Sequence, residues 1–209
     1  MKKHLTVLLV VFSLLVFTSA GAFAAENFDQ NDKTISDATI LIEKNPQDAI
    51  AYYKRGVAYN NKNAFDDALA DYNKAIELNP KYAAAYLYRG VLYAAQRNQS
   101  DLALSDFSEA IKSDPQYELA YLNRGIIYRK TGQFALAIAD LNKAIKLNSS
   151  YAKAYYNKGL TYEAMGSYEE AIATYKTLRQ IIPPQDMPAR DQDWNKLAKN
   201  RLRILGVQE

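Results

Sequence analysis

YLNRGIIY, from Tyr121 to Tyr128, sets an arginine and a glycine between two tyrosines. Taken alone, the grouping fits a phosphate site, a catalytic loop or plain packing. It does not stand alone. YYKRGVAY runs from Tyr52 to Tyr59, YLYRGVLY from Tyr86 to Tyr93 and YYNKGLTY from Tyr155 to Tyr162. A chain needs one active site, not four copies of it. Gly56, Gly90, Gly125 and Gly159 are separated by 34, 35 and 34 residues. A period of that size marks a repeat architecture in which each unit is one supersecondary element. The stretch is therefore read as packing between repeats.

With 209 residues, a repeating chain predicts a single elongated stack whose length follows repeat number. Lys2 and Lys3, the apolar run Leu5 to Phe17 and the small-x-small pattern Ala22-Phe23-Ala24 read as a secretory signal peptide over residues 1–24. An uncleaved N-terminal anchor helix is the alternative. No cysteine is present to carry a lipid, so a periplasmic or secreted protein is expected. Cleavage removes Lys2, Lys3 and His4 and leaves 24 Lys and Arg against 23 Asp and Glu. That balance gives no support to nucleic-acid binding, which uses a clustered basic face.

His4 is the only histidine and there is no cysteine, so the mature chain lacks both. Zinc sites, thiol nucleophiles and most general acid–base catalysis near neutral pH rely on them. No nucleophile elbow, phosphate loop or paired-carboxylate constellation stands out, so no enzyme activity and no cofactor are expected. Composition leaves open carboxylate pairs or a Ser-Lys dyad, and a hydrolase using carboxylates is the rival reading. Without disulfides, stability must come from stacking.

Between Ala49 and Pro183 each unit carries two apolar patterns of helical spacing separated by a turn. Tyr121, Gly125 and Tyr128 mark one helix at i, i+4, i+7, and Ala137, Leu141 and Ala144 mark the next. Gly132 and Gly166 fall between helices, and Asn79-Pro80 and Asp114-Pro115 follow the second helix, which proline cannot continue. In order, Tyr52, Gly56, Tyr59, Ala68, Tyr72, Ala75 and Pro80 then resemble the pattern of the tetratricopeptide repeat family. The second unit matches at Tyr86, Gly90, Tyr93, Ala103, Phe107, Ala110 and Pro115. The third departs only in having Leu141 at the aromatic place and Ser149 for proline, and the fourth in having Leu178 for alanine.

The resemblance implies an all-α, right-handed α-solenoid of four helix-turn-helix repeats, over 49–82, 83–117, 118–151 and 152–183. Residues 25–48 hold a leading half-repeat helix and 184–209 a C-terminal capping helix. In the cap, Trp194, Leu197, Ala198, Leu202 and Leu205 form the apolar stripe, and Lys196, Lys199, Arg201 and Arg203 the basic side. A membrane-surface helix is the other reading of that basic side. Arg55, Arg89 and Arg124 recur at one register, as do Asp71, Asp106 and Asp140, and both change together to Lys158 and Thr174 in the fourth unit. That joint change predicts an arginine–aspartate bridge in the first three.

First helices of a repeat stack line a concave face suited to a helix or an extended peptide. By resemblance to the family, that groove is formed by Tyr53, Val57 and Asn60, then Leu87 and Val91, then Leu122, Asn123, Ile126, Arg129 and Lys130, then Lys153, Tyr156, Asn157 and Leu160. Family members that grip a chaperone's C-terminal carboxylate need five polar residues. Here only Asn123 and Lys153 match, with Leu87, Val91 and Asn157 in the other places. The expected function is a non-enzymatic adaptor or scaffold of the bacterial cell envelope. Its partner would be a peptide or helix, apolar with some acidic character, and membrane contact would come only through that partner or the basic C-terminal helix. An accessory subunit of a membrane-associated secretion or pilus assembly is the alternative.

Overall fold

A computed structural model describes residues 30–96, 99–181 and 189–207, and within them the chain is helical with no strand. The expected signal peptide lies outside the described residues. The helices are α1 (30–44), α2 (Ala49–Asn61), α3 (Phe65–Leu78), α4 (Ala83–Gln96), α5 (Ser100–Ser113), α6 (Glu118–Lys130), α7 (Phe134–Leu147), α8 (Ala152–Ala164), α9 (Tyr168–Ile181) and α10 (Ala189–Ile204). Helices α2/α3, α4/α5, α6/α7 and α8/α9 pack as consecutive pairs.

The turns inside the first, third and fourth pairs share one chemistry. Gly132 and Gly166 adopt φ of 77°, and Asn63 fills the equivalent place in the first pair at φ 60°. That left-handed residue lets Gln133 N–H reach Tyr128 C=O at 2.8 Å and Ser167 N–H reach Tyr162 C=O at 2.9 Å, which closes the helix by a Schellman motif. Gly206, at φ 80°, ends α10 the same way, with Val207 N–H donating to Leu202 C=O at 3.0 Å.

Between pairs, Asn79 and Asp114 stop α3 and α5 in extended backbone, as residues before proline do. Asn148 precedes Ser149 instead, yet takes nearly the same conformation, φ −137° and ψ 97°. Its side-chain Oδ1 accepts from Ser150 N–H at 3.2 Å, an Asx turn that Asp114 also makes with Gln116 N–H at 2.9 Å and that persists where proline is absent.

The chain divides into two units, one carrying α1–α3 and ending at Pro80, the other carrying α4–α10 from Lys81. In the first, α1 lies against α2: Arg55 Nη1 donates to Thr39 Oγ1 at 3.1 Å, and Lys62 pairs with Asp32. Its core is Ala38, Ala51, Ala58, Ala68, Tyr72 and Ala75. In the second, α6 touches α4 on one side and α8 on the other, while α5 packs on α6 and α7 on α8. Helix α10 covers α8 and α9, where Ala198 and Leu202 are fully buried with Ala171, Tyr175 and Leu178. The cap's stripe differs from expectation at Leu197, which is exposed; Ala198 and Leu202, one turn apart, define the inward line.

Alanine and glycine bring paired helices close. A Cβ on Gly125 would sit 3.1 Å from Leu141 Cγ, and one on Gly159 only 2.4 Å from the Tyr175 ring. The aromatic or leucine of the second helix fills the space the glycine leaves.

Candidate functional site

The opening stretch resolves into a structural device. Arg124 Nε and Nη2 donate to the two carboxylate oxygens of Asp140 at 2.7 and 2.9 Å, and Nη1 donates to Ser108 Oγ at 3.0 Å. Its guanidinium lies 5.9 and 5.8 Å from the ring centroids of Tyr121 and Tyr128. Arg55 with Asp71 and Arg89 with Asp106 repeat the arrangement, tyrosines included. The tyrosines are thus half-buried flanks of a cation, while Gly125 alone of the motif's marker residues is buried. Each arginine is fully engaged by its own fold. In the fourth repeat the carboxylate is missing: Thr174 Oγ1 donates to Glu170 C=O at 2.7 Å, and burial pushes the Lys158 amine below the usual lysine range.

The expected groove splits by register. Leu87 and Leu122 are buried at 1% and 0% exposure, packed respectively with Phe107 and with Leu141. Both are core residues, and the expectation that they line the groove is corrected. Tyr53 and Tyr156 hold the same register and also turn inward, with ring centroids 6.4 Å from Tyr72 and 5.9 Å from Tyr175. The reason is helical geometry. This register sits three residues before the repeat glycine, and residues i and i+3 share a face, so both look at the partner helix of the same repeat.

Asn157 is also buried, at 6% exposure. Its Nδ2 donates to Lys153 C=O at 2.8 Å, as Asn123 Nδ2 does to Leu119 C=O at 2.8 Å. Each of these amides thus commits one of its two donors within its own helix. Val57 and Asn60 are half-buried on α2 in the first unit. In the second unit, the accessible face of α4, α6 and α8 consists of Val91, Asn123, Ile126, Arg129, Lys130, Lys153 and Leu160, of which Lys130 alone is classed as exposed and the rest as half-buried.

Glu163, at the register of Arg129 one repeat later, is taken up by the cap. Tyr175 Oη donates to its Oε1 at 2.5 Å and Arg201 pairs with it through Nε at 2.9 Å and through Nη2. Burial favours the neutral acid, but these donors outweigh it and hold the carboxyl below its ordinary range.

Beside the face lies a cavity of about 430 Å³ whose walls include Tyr117, Leu119, Tyr151, Lys153 and Trp194, with Glu118 also at its edge. Burial pushes the phenols of Tyr117 and Tyr151 up to about 12. The volume is in the range of ligand pockets. Sequence reasoning missed it, although Tyr82, Tyr117 and Tyr151 recur at the same period as the glycines. Trp194 joins the wall from α10, and no repeat period announces that.

The tetratricopeptide repeat model matches residues 43–82 and 152–183, and two further TPR models match 71–105 and 125–166. The chain belongs to the tetratricopeptide repeat family. No curated protein matches the sequence of this TPR chain. Among solved structures it is similar to MamA, at 24% identity over 73% of this chain and 83% of that one, with a TM-score of 0.66. It is similar to PilW, described as a type IV pilus biogenesis factor, at 20% identity over 90% of both chains and TM-score 0.67. It is also similar to TTC0263, a thermophilic TPR protein of Thermus thermophilus, at 22% identity over 84% and 92% and TM-score 0.64. At these identities the likeness establishes the fold.

Proposed function

We propose that this TPR protein is a non-enzymatic scaffold that binds a segment of another protein on the face formed by α4, α6 and α8. The observation that carries the reading is the contrast on that face: Val91, Ile126 and Leu160 are only half-buried, and Arg129, Lys130 and Lys153 stand among them. Apolar contact supplies affinity at about 25 cal/mol per Å² before association costs, and charge supplies orientation and on-rate. The partner is therefore apolar with acidic character. Fold by itself names no function, so the proposal rests on the face.

An envelope location follows from reading residues 1–24 as a signal peptide. Among the described residues no helix is long and apolar enough to cross a membrane. A role in a membrane-associated pilus or secretion assembly is the second reading, supported by the likeness to PilW over 90% of both chains and by the exposed Lys196, Lys199 and Arg203 of α10.

Affinity capture from the native envelope tests the proposal. Val91→Asp with Ile126→Asp is expected to reduce capture at least about tenfold, the loss of about 1.4 kcal/mol, with a melting transition that stays cooperative but falls, because both side chains also pack on the core around Leu87 and Leu122. Capture at wild-type strength by the folded double variant overturns the assignment of the face. Recovery of pilus or secretion components only with membranes, independent of these two residues, favours the second reading.

A further inference from the structure

Arg129 differs from the arginines that the fold locks to a carboxylate. Arg55, Arg89 and Arg124 each close on an aspartate, and Arg201 closes on Glu163. Arg129 has no carboxylate. Its Nε is enclosed without a hydrogen-bond partner, its Nη2 reaches Asn157 Oδ1 only at 3.5 Å, the outer limit of such a bond, and its Nη1 has no partner among the described residues. Nε is closed off from an incoming group, so the donors of the fork that a partner's acceptor can take are those of Nη1 and Nη2.

The surroundings do not supply the missing anion. On α6, Lys130 follows directly, and the acid of that helix is Glu118, in the first turn three turns away. On α8, Lys153 lies one turn before Asn157, and Glu163 is committed to Arg201 and Tyr175. On α4 the facing register holds Ala94 and Ala95. Among the described residues no carboxylate on these helices answers the charge of Arg129, and only the carbonyl end of α6, in whose last turn it sits, is of opposite sign.

Resting on the binding face proposed above, we infer that Arg129 is a carboxylate-recognition residue, taking an internal Asp or Glu side chain of the bound segment end-on through Nη1 and Nη2. A carboxylate matches the planar fork of a guanidinium with two parallel hydrogen bonds, which neither a single hydroxyl nor an amide oxygen does. The acid is a side chain rather than a chain end because α6 is the middle helix of the row. Val91 lies on α4 to one side and Leu160 on α8 to the other, so a segment crossing Arg129 has surface to occupy in both directions.

A random synthetic library of C-terminally amidated peptides, selected against the purified full chain and against Arg129→Met, tests the inference. Methionine keeps the apolar stem and removes the fork. Wild type is expected to enrich peptides with an Asp or Glu flanked by apolar residues and to bind them about tenfold more tightly than their Asn or Gln versions, the scale of one charge-assisted pair. Arg129→Met is expected to bind both versions equally. Should that variant not melt cooperatively, Arg129→Lys, which keeps charge without the fork, is expected to lose most of the discrimination. Undiminished discrimination by the folded variants overturns the inference. So does an acid preference that emerges only in a parallel library with free C-termini, which assigns the site to a terminal carboxylate. Apolar peptides enriched without any acid preference overturn the role of Arg129 while the binding face stands, whereas no enrichment at all overturns both.

Discussion

Asp140 shows how a recurring charged residue is read. Its partner could be inferred from the sequence because Arg and Asp change together in the fourth repeat, to Lys158 and Thr174; the bidentate geometry and the two flanking tyrosines could not. Exposed ion pairs contribute roughly 0–1 kcal/mol, but Asp140 is 6% exposed, which moves it to the other regime. Removing one member of a buried pair strands the other charge. Asp140→Ala is expected to destabilise the protein by about 3 kcal/mol in denaturant unfolding, whereas Arg124→Met with Asp140→Leu is expected to cost far less. Equal losses for single and double variants would mean that the bridge itself, and not the stranded charge, carries the stability. Lys158 is the natural control: without its aspartate, burial already lowers its pKa, the direction expected of a cation with no anion beside it.

Among the elements, α10 tests whether a cap can be recognised before it is seen. Its apolar spacing and closing Gly206 were legible, because both are local signals. Its lock was not, because Glu163 and Arg201 are 38 residues apart and neither has a copy in other repeats. Glu163 makes docking of the cap pH-dependent, with a definite sign. Its folded pKa lies below the ordinary value of 4.5, so its contribution is present above that value and is lost as pH falls through the lower folded one. Trp194, the single tryptophan, sits 5.4 Å from the Tyr156 ring and reports the contact. Its emission is expected to be blue-shifted at pH 7 and to move red below pH 4.5. Glu163→Gln is expected to weaken docking by about 1 kcal/mol at pH 7 and to flatten the acid response. An unchanged acid profile in that variant removes Glu163 as its cause.

At the scale of the whole molecule, the repeat period was enough for the fold because every level of the sequence repeats it: glycines for close approach, Schellman turns at Asn63, Gly132 and Gly166, and stops at Asn79, Asp114 and Asn148. The binding face was only partly legible. A period says which residues are equivalent and leaves their direction to the rotation of the helix about its axis. A shift of one residue turns a side chain by about 100°, which is the difference between Leu122 in the core and its neighbour Asn123 at the surface. The two leucines first assigned to the groove therefore make a sharp test of the rotation. Leu122→Ala is expected to destabilise by about 2–5 kcal/mol, because it empties space at 0% exposure beside Leu141 and Ala154. Ile126→Ala, one turn further along the same helix and half-buried, removes a comparable side chain and is expected to cost under about 1.5 kcal/mol, with its larger effect on capture of the partner. If the order is reversed in denaturant unfolding, Ile126 faces the core and the row of α4, α6 and α8 presents a different surface to its partner.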